Sequence, residues 1–104
     1  MVTVRFTYHG ESIENVTISG HADYADKGED LVCAAVSSIG VGSLNAIDSQ
    51  CPESCDMQMR EGYIKIDVIN DSDNLQIILN TVRIQFKSIE YSNKQYIKVV
   101  KEEV

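Results

Sequence analysis

The chain has 104 residues, 43% of them hydrophobic, one proline and a formal charge of −7. That length predicts one domain, residues 1–104, with a single continuous core, and the lone proline argues against a linker or disordered tail. An acidic chain without a basic cluster argues against a direct nucleic-acid surface, and no apolar run approaches the ~20 residues that cross a bilayer.

Val2, Val4, Phe6 and Tyr8 alternate with Thr3, Arg5 and Thr7, the period-two pattern of a half-buried strand. His9 to Ser12 is turn material. Ile13 to Ser19 reads as a second strand with Val16 and Ile18 on its apolar face, so the two predict a hairpin. From Leu31 the period changes. Val32, Ala35, Val36, Ile39, Ser43, Ala46 and Ile47 keep helical spacing and describe one inward face.

Asp30 stands where an N-cap would, its carboxylate accepting from orphan backbone N–H groups. Gly40 and Gly42 each cost about 1 kcal/mol relative to alanine inside a helix, so something must pack close, a sheet or a second subunit. Pro52 stops the helix. Cys51 and Cys55 enclose Pro-Glu-Ser, a loop-like segment. As half of a zinc site they would need two further ligands, and neither His9 nor His21 has ligand spacing, so no metal and no cofactor are expected. An odd cysteine count without a secretion signal predicts reduced thiols.

Met57 and Met59 alternate with polar neighbours, and Glu61-Gly62 makes a tight turn into Ile64, Ile66 and Val68, a second hairpin. Asp71-Ser72-Asp73 offers caps for a second helix carrying Leu75, Ile78, Leu79, Val82, Phe86 and Ile89 in register. A last strand runs from about Gln95 to Val100. The order β-β-α-β-β-α-β predicts an α+β sandwich, a mostly antiparallel sheet with two helices packed on one face.

Cys33 and His21 are the residues that point to chemistry. With Asp30 as N-cap, Cys33 is the third helical residue, beside unpaired N–H groups and the positive end of the helix dipole. Such a position stabilises a thiolate, and the same N–H groups can receive an oxyanion. His21, twelve positions earlier at a strand end, is placed to exchange a proton with the thiol. Ser37 lies one turn beyond Cys33 on the same face, where a hydroxyl can steady substrate or water. Gly28 lets the intervening loop, Asp23 to Glu29, bend and close on substrate. The residues alone leave a second reading open, in which Cys33 is a small buried hydrophobe of a non-catalytic binding module.

Gly20-His21-Ala22, Gly28, Asp30, Val32-Cys33-Ala34-Ala35, Ser37 and Asn45-Ala46-Ile47 together resemble the signature of the ribosomal-processing cysteine proteases. Length, element order and the apolar pattern of the second helix agree as well. The resemblance implies an endopeptidase that removes the N-terminal extension of a large-subunit bacterial ribosomal protein. It implies His21 and Cys33 as a catalytic dyad, a mobile loop between them and a homodimer. Gly20, Asp30 and Ser37 then support the site and shape the substrate cleft. The expected location is the cytoplasm, without membrane or direct nucleic-acid contact. Cys51 and Cys55 match no family feature. A ribosome-assembly or protein-binding module with a structural cysteine, and a redox sensor using Cys51 and Cys55, are the competing readings.

Overall fold

The computed structural model describes residues 1–20 and 27–104, with residues 27–29 described by backbone alone. Its elements are β1 (Val2–His9), β2 (Ser12–Ser19), α1 (Lys27–Gln50), β3 (Cys55–Arg60), β4 (Tyr63–Val68), α2 (Asp73–Ser92) and β5 (Ile97–Glu103). The sheet order is β3-β4-β2-β1-β5. Both hairpins and the β2–β4 pair are antiparallel, and only β1 and β5 run parallel.

Strand alternation decides which side of the sheet is covered. Val2, Val4, Phe6 and Tyr8 are all buried while the residues between them are not. The register places Phe6 opposite Val16 and Val4 opposite Ile18, and then Ile18 opposite Ile64 on β4, so apolar side chains stack across three strands. Both helices bury their apolar stripes on this face. Val32, Val36 and Ile47 come from α1 and Leu75, Leu79 and Phe86 from α2, all in one cluster. Phe86 meets Phe6 with ring centroids 6.4 Å apart in a tilted arrangement. Ser72 caps α2 as expected, its hydroxyl accepting from the Leu75 N–H at 3.1 Å.

Four sequence expectations are corrected. Helix α1 begins at Lys27, so Asp30 lies within its first turn and is not the N-cap. An aspartate is favourable in both places, because both face the positive end of the helix, so residue type does not separate them. For the same reason Gly28 belongs to α1 and not to a loop. The last strand continues to Glu103, pairing with β1 as far as Tyr8, whereas Val100 was its expected end. Its Lys101-Glu102-Glu103 segment has the exposed charges that suit a sheet edge and resembles a tail when read alone.

Finally, the stretch Asp30–Gln50 is long and apolar enough, by length and composition, to cross a bilayer. No charged residue interrupts Leu31 to Ile47, and the serines and glycines among them break up the apolar run, so the span does not stand out in the sequence. In the fold this helix packs one side onto the sheet through Val32, Val36, Gly40, Ser43 and Ile47.

Candidate active site

A cleft of about 630 Å³ opens between the first half of α1 and the adjoining ends of the strands. That is an ordinary volume for a small-ligand or peptide site. Three of the residues singled out from sequence line it together: Gly20, Cys33 and Ser37. Cys33 is half-buried and Ser37 exposed, four residues apart on one helix face. Val36, on the same helix, is buried at the cleft floor with Ile18 and Ile64. The floor is therefore apolar, and the polar groups sit on the walls.

Gly20 is required by its backbone. Its φ is +104°, and a Cβ there would run into the Met1 carbonyl. Its N–H donates to the Gly62 carbonyl at 3.0 Å, which ties the end of β2 to the turn between β3 and β4. Gly62 itself has φ +70°. Two glycines thus fix one wall of the cleft, immediately before residue 21 in the chain.

The expected source of oxyanion donors is corrected. Cys33 is the seventh residue of α1, where an α-helix already uses its N–H for the carbonyl four residues back. The orphan N–H groups belong to the turn before it. His21 and Asp23 lie outside the described residues.

The β3–β4 hairpin contributes residues that sequence reasoning missed. Met59, Arg60 and Tyr63 line the cleft, with the Arg60 guanidinium 4.4 Å from the Tyr63 ring centroid. The sole local signal was a cation and an aromatic on either side of Glu61-Gly62, which reads first as a turn.

Cys51 and Cys55 are free and half-buried, and neither lines the cleft. Burial pushes the Cys55 thiol up, and nearby Cys51, Asp71 and Asp67 add to this against the Ser54 hydroxyl, which pulls the other way. Among the described residues, no group of three or more His, Cys, Asp or Glu is placed to hold a metal ion.

Comparison with known proteins follows the same lines. The family model described as cysteine protease Prp matches residues 1–98. The ribosomal processing cysteine protease Prp of Staphylococcus aureus is 33% identical over 103 residues, covering 95% of this chain and 97% of that one. The crystal structure of an essential S. aureus Prp with a substrate peptide superposes with a TM-score of 0.90 at 30% identity, covering 98% of this chain and 100% of that one. The S. aureus protease in complex with a covalently linked product peptide gives 0.88 at 31% identity, again with 98% and 100% covered.

A two-helix, five-stranded fold of this kind, with a half-buried thiol on the wall of an apolar cleft, is that of a small cysteine protease. The chain belongs to the cysteine protease Prp family, whose S. aureus member is a ribosomal processing protease. The non-catalytic reading gives way accordingly.

Proposed function

We propose that this protein removes the N-terminal extension of a large-subunit bacterial ribosomal protein, with Cys33 as nucleophile and His21 as its proton partner. The observation that carries the reading is one cleft shared by Cys33, Ser37 and Gly20, the residue that precedes His21 in the chain. His21 takes the thiol proton and the sulfur adds to the scissile carbonyl carbon. Collapse of the tetrahedral adduct breaks the C–N bond, and the imidazolium returns its proton to the leaving amine. Water, deprotonated by the same imidazole, then cleaves the thioester and releases the extension with a free carboxylate.

Ser37 faces the same space as Cys33, where its hydroxyl can donate to substrate. Asp30, exposed in the first turn, favours the helix start through the dipole and not as a cap. The loop closure expected of Asp23 remains part of this proposal. None of these steps calls for a metal or cofactor.

The net charge of −7 suits a basic ribosomal protein and raises encounter rate more than specificity. The reading places the protein in the cytoplasm without membrane or direct nucleic-acid contact, α1 serving as a core helix. It also makes the protein a homodimer. Ile77, Thr81, Ile84 and Ser88 form an exposed stripe of α2 without charge, and both hydroxyls donate back to the helix carbonyls of Ile77 and Ile84. Two acidic copies meet most readily where neither carries charge.

The test is incubation with a peptide containing such an extension, with the cut located by mass spectrometry. Wild-type protein should cut once, at the extension boundary. Cys33→Ala should lose at least about a thousandfold in rate while keeping its far-ultraviolet dichroism. Undiminished cutting by that variant would falsify the assignment of the nucleophile.

A further inference from the structure

The floor and the rim of the Cys33 cleft differ in how much apolar surface they leave open. Ile18 and Ile64, paired across β2 and β4, are buried beneath it. Val41 on α1 and Met59 on β3 line the same cleft yet remain 40% and 60% exposed. One comes from the helix side and the other from the strand side. Large apolar side chains left uncovered in a concave site gain by closing on an apolar group of a ligand.

Met59 is also held from behind. Its neighbour Arg60 lies over the Tyr63 ring at 4.4 Å, across the Glu61–Gly62 turn. The Gly62 carbonyl in that turn accepts the Gly20 N–H at 3.0 Å. A cation on a ring face and a hydrogen bond to a neighbouring strand pin the hairpin tip, so Met59 is presented from a fixed backbone.

We propose that Val41 and Met59 are specificity-determining residues, an apolar pincer over the Ile18–Ile64 floor that takes one large apolar side chain of a peptide bound in the Cys33 cleft. The proposal rests on the protease reading of that cleft and adds the residues that choose among peptides. Arg60 and Tyr63 are positioning residues that act through Met59.

The experiment uses peptides carrying leucine, serine or aspartate at each position in turn. Their binding to the Cys33→Ala protein is titrated, and their cleavage by the wild type is followed in parallel. One position should prefer leucine at least about tenfold in binding. A Met59→Ala, Val41→Ala double variant on that background should lose the preference at that position and keep those elsewhere. Met59→Lys, a change at an exposed site, should favour aspartate there over leucine. In the active enzyme, Arg60→Ala should raise KM for the leucine peptide while kcat holds, with partial rescue by Arg60→Lys.

Unchanged leucine-to-serine ratios at every position in both the double variant and Met59→Lys overturn the pincer, whether or not the wild type cuts. Absent cleavage together with a retained, Met59-dependent leucine preference overturns the protease reading and leaves the pincer standing.

Discussion

Gly40 of α1 sits so close to Ile64 of β4 that a Cβ on the glycine would lie 2.7 Å from the isoleucine Cδ1. The helix can approach the sheet at this point because the side chain is missing, and the approach forms part of the floor beside Cys33. Gly42, two residues on, has nothing within 4 Å of its own hypothetical Cβ. The two glycines therefore answer differently to substitution.

Gly42→Ala should stabilise the protein by about 0.5–1 kcal/mol, since it gains helix propensity without meeting anything. Gly40→Ala should fall within about 1 kcal/mol of wild type, the propensity gain being offset by displacement of a movable methyl. Gly40→Val should cost about 1–3 kcal/mol through overpacking. Urea unfolding midpoints check all three. A stabilising Gly40→Val would contradict the close packing.

Glu90 links α2 to the edge strand β5. Its Oε2 accepts the Val99 N–H at 2.6 Å, and its Oε1 lies 3.0 Å from the Lys87 ammonium. Burial pushes the carboxyl up, but these donors outweigh it and leave the pKa lowered. A lowered folded pKa contributes stability fully above the ordinary glutamate value of about 4.3 and loses it as pH falls through the folded value. Glu90→Gln should therefore melt lower than wild type at pH 7, and the gap should narrow on acidification toward pH 3. A gap that widens in acid would contradict the sign of the shift.

Cys55 should react slowly with iodoacetamide, because burial holds its thiol up and only the thiolate attacks. At pH 7.5 its alkylation, followed by peptide mass mapping, should lag an unstructured cysteine peptide by several-fold, and the lag should shrink as pH rises. Early alkylation at pH 7.5 would rule out the buried environment. The same mapping under mild oxidant tests the redox reading, which requires a Cys51–Cys55 disulfide and its mass loss.

Ile84, 57% exposed in the uncharged stripe of α2, tests the proposed dimer. Light scattering should give wild-type protein about twice the chain mass of 11.6 kDa. Ile84→Lys, which places a charge that association would have to desolvate, should shift the population to monomer with little change in dichroism. A monomeric wild type at tens of micromolar would remove the dimer from the functional reading.

Local pattern carried much of the architecture. The alternation of Val2, Val4, Phe6 and Tyr8 and the helical spacing of Leu75, Leu79, Val82 and Phe86 correspond to buried faces. Periodicity records which side of an element meets the core, and it is written within a dozen residues. The positions of Cys33 and Ser37 on one face of α1 followed for the same reason. The start of α1 did not, because an acidic residue suits a cap and a first turn alike.

Other features depend on residues far apart in the chain. Gln76 accepts the Ile13 N–H and donates to the Ile13 carbonyl, both at 2.8 Å, beside the register shift at Thr7/Tyr8. Nothing around either residue announces that pairing across 63 positions. The parallel seat of β5 against β1 and the packing of Gly20 on the Met1 carbonyl have the same character.

From sequence alone came the elements, their buried faces and the thiol, since each is set by neighbours a few residues away. Tertiary structure decided the order of the strands and the meeting of Gly20, Cys33 and the hairpin tip around one cleft. Those contacts join segments whose separation along the chain leaves no local trace, and only the closing of the whole core selects among the alternatives.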